Sequence, residues 1–181
     1  LALCEKASLK LGTKVYGACT VGPHCKVGGE INNVIFHSYS NKGHDRFLGN
    51  SNIGDWCNLG ADTNTSNLKN NYSNVKTYSY TNQAEVQTDV QFMGLCMGDF
   101  SKSGINTMFN TATTVGVSCN VFGGGFPAKY IPSFSWVNSL EIEDFNLNKA
   151  ITAANNMMVR RDLKLSNIDE DVFSHLAKNK T

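Results

Sequence analysis

Among the residues able to do acid–base chemistry, His44 has the most informative surroundings. It lies within Ser40–Ala61, which reads SNKGHDRFLGNSNIGDWCNLGA, and is followed directly by Asp45 and Arg46. A histidine side chain titrates near neutrality, where proton transfer is most efficient, so His44 is a candidate general base. With Asp45 as its only nearby acid it lacks the further ligands a metal site needs, and no metal is expected. His24, His37 and His175 have no comparable context and read as structural or surface residues.

The elements that must position His44 follow from an unusual period. Phe47, Ile53 and Leu59 recur every sixth residue. That spacing fits neither a 3.6-residue helix nor the strict alternation of a long strand. It is the mark of a hexapeptide β-helix, a coil of short parallel strands and tight turns. The aliphatic ladder opens at Leu3, Leu9, Val15, Val21 and Val27, with Gly22 and Gly28 at backbone corners. An eight-residue step then places a two-residue irregularity near Glu30–Asn33. The ladder is expected to continue at Ile35, Asn41, Phe47, Ile53 and Leu59, and again at Met97, Ser103, Phe109, Val115 and Val121.

The six cysteines belong to the same pattern. No CxxC pair or zinc spacing occurs. The residue four beyond each inward aliphatic should be small, and these are Ala7, Thr13, Cys19, Cys25, Cys57 and Cys119, with Thr107 and Thr113 in later coils. Ile31 is the exception. Four cysteines thus read as reduced, structural thiols filling corners, which points to a cytoplasmic protein.

Residues 62–90 carry no apolar sixth position and are rich in Asn, Ser and Thr, so they read as a polar loop thrown out from one corner. Gly123–Gly125 and Pro127 are expected to stop the coil. Leu147, Ile151, Ala154 and Met158 then form a helical stripe with an N-cap near Asp144, and Ser166 with Asp169 resembles a capping box before a second helix bearing Val172, Phe173 and Leu176. The Met157–Met158 pair reads as core contact. The organisation expected is a β-helix domain over 1–136, with the inserted loop 62–90, and a helical extension over 137–181.

Bulk properties exclude several functions. The chain has 181 residues, 41% hydrophobic and 17% charged, with net charge +1. A packed core is available, and no basic face points to nucleic acid. No apolar run reaches the roughly 20 residues of a membrane helix, so no membrane partner is expected. The opening LALCEKASLK lies already inside the repeat, without an initiator Met or the features of a signal peptide, and reads as a piece of something longer.

The stretch 30–67 resembles the acetyltransferase domain of the bifunctional N-acetylglucosamine-1-phosphate uridyltransferase/glucosamine-1-phosphate acetyltransferase. The family's block is matched by His44, Leu48-Gly49, Ile53-Gly54 and Asn58-Leu59-Gly60-Ala61. The resemblance implies a left-handed parallel β-helix that forms a homotrimer, with acetyl-CoA as co-substrate bound between subunits and a sugar phosphate or sugar nucleotide as acceptor. It implies His44 as general base, Asn58 as a substrate-positioning amide and Ala61 as a backbone contact to the acetyl group or pantetheine arm. A further substrate Asn falls on Asn67, with Asn71-Tyr72 as a rival match.

Three family positions differ here. Phe47 stands where the family has a substrate-side Tyr, Asn32 where it has a phosphate-binding Lys, and Leu95 where it has a coenzyme-side Ser. By the six-residue count, Phe47 also has a plain core-packing reading. The SNKGHD wording and Pro127–Trp136 (PAKYIPSFSW) are similar to a less characterised group of sugar nucleotidyltransferases with the same C-terminal coil. Two functions therefore stay open: an acetyl-CoA-dependent acyltransferase, or a non-catalytic oligomerisation or regulatory coil of a nucleotidyltransferase.

Overall fold

The computed structural model describes residues 1–180. The chain winds into a three-faced parallel β-solenoid, each face built from strands mostly two residues long. The first face stacks Ala2–Leu3, Thr20–Val21, the end of Glu30–Phe36, the end of Phe47–Ile53, Cys96–Met97, Thr114–Val115 and Tyr130–Ile131. The second stacks Ser8–Leu9, Lys26–Val27, Asn41–Lys42, Asn58–Leu59, Lys102–Ser103, Asn120–Phe122 and Ser135–Asn138. On the third, Lys14–Tyr16 pairs with Glu30–Asn32 and these with Phe47–Gly49, while Asn64–Thr65 pairs with Met108–Phe109.

Each strand sends one residue inward, and in-register stacking turns these into three interior columns. Val21, Phe36, Ile53, Met97, Val115 and Ile131 form the first. Burying such a column is the main stabilising term, at about 25 cal/mol per Å² of apolar surface. The later ladder (Met97, Ser103, Phe109, Val115, Val121) is buried throughout, as are Thr107, Thr113 and the corner cysteines Cys19, Cys25, Cys57 and Cys119. In the first coil the inward residues are less covered, with Leu3 at 51% exposure, because that coil has a neighbour on one side only.

The middle of the ladder differs from the six-residue count. Ile35 is 50% exposed, Asn41 and Phe47 point outward, and the inward residues are Ile31, Phe36, Lys42 and Leu48. Two shortened corners cause the displacement. Gly28–Gly29 joins Val27 to Ile31 in a four-residue step, and Asn32–Asn33, with Asn33 in the left-handed region, joins Ile31 to Phe36 in five. The core-packing reading of Phe47 is thereby overturned. Gly22 and Gly28 are required by closeness rather than by a special φ. A Cβ on Gly22 would collide with the His37 carbonyl oxygen, and one on Gly28 would stand 2.9 Å from that of Gly43.

One corner carries a column of left-handed residues: Lys6, His24, Tyr39, Trp56, Phe100, Ser118 and Phe134. From His24 onward, their amides donate to carbonyls of the preceding coil, as in Trp56 to Ser38 at 3.0 Å. The rings of His24, Tyr39 and Trp56 stack at 4.5 and 4.2 Å.

The chain leaves the solenoid after Thr65 and returns at Cys96. In between, Lys76–Ser79 and Ala84–Gln87 form an antiparallel hairpin, so the polar loop is a folded arm. Tyr78 stacks on Tyr130 at 3.5 Å, and Lys129 Nζ donates to the Lys76 carbonyl at 2.7 Å, pinning the arm to the last coils. The coil also runs on past Pro127: residues 123–129 replace a third-face strand, and Tyr130–Ile131 and Ser135–Asn138 add a further partial turn. Glu141–Asp144 closes that edge as an antiparallel strand.

Helix α1 (Leu147–Val159) is capped by Asn146, two residues beyond the expected Asp144, and buries Ala150, Ala154 and Met158. Helix α2 (Asn167–Lys178) begins with the reciprocal Ser166–Asp169 capping box. Phe173 meets Phe134 and Phe100 edge to face, fastening both helices to the solenoid. Neither helix is long and apolar enough to cross a membrane.

Candidate functional site

His44 sits on the corner Gly43–Arg46, between the second-face strand Asn41–Lys42 and the third-face stretch beginning at Phe47. The corner beneath it, Gly28–Gly29, is two residues shorter and packs closely against it, since a Cβ on Gly29 would stand 2.8 Å from the His44 carbonyl oxygen. Lys42 supports the His44 corner from inside. It takes an inward column position, is 2% exposed, and its Nζ donates to the carbonyl oxygens of His44 (2.9 Å), Gly28 (3.3 Å) and Asp45 (3.3 Å). Burial lowers its pKa to about 8, against the smaller upward pull of Asp45 and Asp62. Three carbonyl dipoles solvate the ammonium in place of water, and the corner backbone is held by them in turn.

The next coil lays its own corner, Gly60–Thr63, over this one. Asn41 pairs with Asn58, which puts Ala61 above His44 by the same register. Arg46 Nε reaches Asp62 Oδ1 at 3.2 Å across the two corners. The side chains of the block thus divide by face. Asn58 points outward on the second face, Phe47 outward on the third, and the His44–Ala61 ridge lies between.

On the third face, Lys14, Glu30, Phe47 and Asn64 occupy one row in successive coils and line a shallow cleft of about 440 Å³ with Asp45 and Arg46. Asn64 Oδ1 accepts from the Phe47 amide at 3.4 Å. On the second face, Asn58 lines a cleft of about 270 Å³. His44 is exposed and lines neither cleft.

The remaining sequence candidates lie elsewhere. Asn32 and Asn67 flank Gly49 at the next corner, where Asn32 pairs with Gly49 and Asn67 Nδ2 donates to Asn50 Oδ1 at 2.7 Å. Leu95 is a correction. Its side chain is 0% exposed in the core, and its backbone is engaged with Ser51 Oγ (2.9 Å) and the Asn52 amide (2.8 Å). An enclosed side chain cannot touch a coenzyme. The structure adds Lys14, Glu30 and Lys42, which sequence reasoning missed. Lys14 and Glu30 directly precede the true inward residues Val15 and Ile31, the same relation that Phe47 bears to Leu48, so a correct register would have aligned them.

No protein-family model matches the chain. It is 28% identical over 123 residues to the bifunctional protein GlmU of Trichodesmium erythraeum, covering 67% of this chain and 22% of that protein. It is 36% identical over 76 residues to GlmU of Methanocaldococcus jannaschii, covering 42% of this chain and 18% of that protein. The chain therefore spans about a fifth of the length of these curated relatives. Among solved structures, AntD, an N-acyltransferase from Bacillus cereus in complex with dTDP and 3-hydroxybutyryl-CoA, matches with a TM-score of 0.55 at 11% identity over 88% of this chain and 90% of that one. A single-residue variant of AntD in complex with dTDP and coenzyme A gives 0.56 at 10% identity, over 80% and 82% of the two chains. At these identities the structural likeness establishes the fold alone. The chain is thus a parallel β-solenoid that resembles the hexapeptide-repeat acyltransferase domain in the C-terminal part of GlmU.

Proposed function

We propose that this chain is an acyl-CoA-dependent acyltransferase domain that acylates an amino group on a sugar phosphate or sugar nucleotide, with His44 as general base. The observation that carries this reading is the His44–Ala61 ridge, held from within by Lys42 and flanked by outward Asn58 and Phe47. In the reaction the acceptor nitrogen bonds to the thioester carbonyl carbon, its proton passes to the His44 ring, and collapse of the tetrahedral intermediate breaks the C–S bond. The proton then leaves with the thiol. Backbone amides at the corners are suited to the oxyanion. The names of the similar proteins, an N-acyltransferase crystallised with an acyl-CoA among them, support the co-substrate class.

An exposed His44 outside both flanking clefts fits a site completed by another subunit, so the proposal includes a homotrimer. A second reading, a non-catalytic assembly or regulatory coil of a nucleotidyltransferase, is favoured by the enclosed Leu95 and by the absence of a Tyr hydroxyl at Phe47 and of a Lys cation at Asn32. Calorimetric titration of acetyl-CoA decides between them. Saturable binding near one site per chain, followed by thiol release with an amino-sugar nucleotide, supports the transferase. A well-folded oligomer that binds no acetyl-CoA supports the assembly coil.

A further inference from the structure

Apart from Asn58, the cleft of about 270 Å³ on the second face has a composition that the transferase reading does not use. Three cations line it: Lys26 from the solenoid, and Arg160 and Arg161 from the end of α1. No carboxylate lines it. The ion pairs among the described residues are Lys6–Glu5, Arg46–Asp62 and Lys180–Asp144, and none involves these three side chains. The repulsion is felt locally, since the Lys26 pKa is lowered by Arg161 first, then by burial, Lys10 and Arg160. The C-terminal carbonyls of α1 favour cations just past its last turn, where Arg160 is the C-cap and Arg161 follows it. They do not account for Lys26, which comes from a separate element. Nor does helix docking need these cations, because α1 packs through Ala150, Ala154 and Met158.

The other walls suit an oxyanion. Asn41 and Asn58, on adjacent rungs, supply amide donors. Tyr39, Trp56 and the thioether of Met157 form the remaining surface, and both faces of Tyr39 are occupied, by His24 at 4.5 Å and Trp56 at 4.2 Å. Trp56 is covered by Tyr39 on one side and Phe100 on the other. The column therefore presents its electropositive ring edges to the cleft and leaves no face for a base to stack on. Paired guanidinium forks match the geometry of phosphate oxygens. The volume lies just below the ~300 Å³ at which sites begin to enclose a whole drug-sized ligand, and suits one charged group better.

We infer that this cleft binds the diphosphate group of a nucleotide ligand, either the coenzyme or the sugar nucleotide. The choice of ligand rests on the transferase reading, whereas phosphate binding in the cleft stands whether or not His44 is the base.

Calorimetric titration of inorganic pyrophosphate into the full chain at low ionic strength tests it. The expected result is one saturable site whose affinity falls as salt rises. The pair Arg160→Gln/Arg161→Gln should weaken it at least about tenfold, as should Lys26→Gln, while Lys69→Gln on the inserted arm leaves it unchanged. These arginines lie beyond the buried stripe of α1, and unchanged circular dichroism confirms that the variants fold. Coenzyme A and UDP are then run as competitors, and the one that displaces pyrophosphate identifies the source. His44→Gln should keep full pyrophosphate affinity, so a failure of the catalytic reading is distinguishable from a failure here. The inference is overturned by no saturable binding at millimolar pyrophosphate, by equal affinity in the arginine variant, or by pyrophosphate binding that neither nucleotide displaces.

Discussion

The Nζ of Lys42 donates to the carbonyl oxygen of His44 at 2.9 Å from inside the solenoid. A cation in an interior column is costly, and here it is solvated by the carbonyls of two corners. The same three bonds set the backbone from which the candidate base projects.

This arrangement gives stability a defined pH dependence. Below pH 8, Lys42 is charged in both the folded and unfolded chains, and folding bears the full cost of desolvating it. Between pH 8 and 10.5 the folded chain releases the proton while the unfolded chain holds it, so stability rises with pH. The contribution is up to about 3 kcal/mol. Buried Cys25, Cys57 and Cys119, with pKa values raised to about 11, 12 and 11, act oppositely above pH 9. The readout is therefore the difference between wild type and Lys42→Met in urea midpoints at pH 7.5 and 10. Lys42→Met should be the more stable at pH 7.5, with the gap closing at pH 10; a gap that widens would remove Lys42 from this role.

His44→Gln should lower kcat about 10²–10⁴-fold, the usual contribution of a general base. Because the side chain is exposed, the melting temperature should not move. Turnover is measured by mass spectrometry of the acylated acceptor, and undiminished kcat would sink the assignment.

Leu95→Ser restores the hydroxyl that the resembling family carries, yet it should not improve coenzyme binding. The side chain is enclosed, so the substitution leaves a cavity and buries a hydroxyl, at about 3 kcal/mol. Denaturant unfolding should show the loss, while acetyl-CoA affinity stays level or falls. A tighter coenzyme site would show that the position faces outward in solution.

Gly22→Ala tests the stacking of coils. The added methyl meets the His37 carbonyl, part of a rigid rung rather than a flexible side chain, and relief requires the coils to separate. A loss above about 3 kcal/mol, or failure to fold, is expected. Gly124→Ala, where an added methyl meets nothing within 4 Å, is the control and should be nearly neutral.

Much of the architecture was legible because a solenoid repeats a local rule. A short strand with one inward residue and a small corner residue recurs wherever spacing is regular, so Met97–Val121, the four corner cysteines and the Ser166–Asp169 cap could be read residue by residue. The His44–Asn58–Ala61 block was picked out by its resemblance to a family motif, which a single sequence can carry because its members are close in sequence and one coil apart. Corner length was not legible. A corner closed by Gly28–Gly29 or by left-handed Asn33 is shorter than its neighbours, and a one-residue change reverses which side chains face inward. Only the folded coil therefore decided that Lys42 and not Asn41 is interior, that Phe47 is outward, and that Leu95 is core. The meeting of Lys26 with Arg160 and Arg161 is likewise tertiary. It joins residues more than a hundred positions apart, through the docking of a helix whose own sequence specifies its apolar stripe but not the face of the solenoid on which it lands.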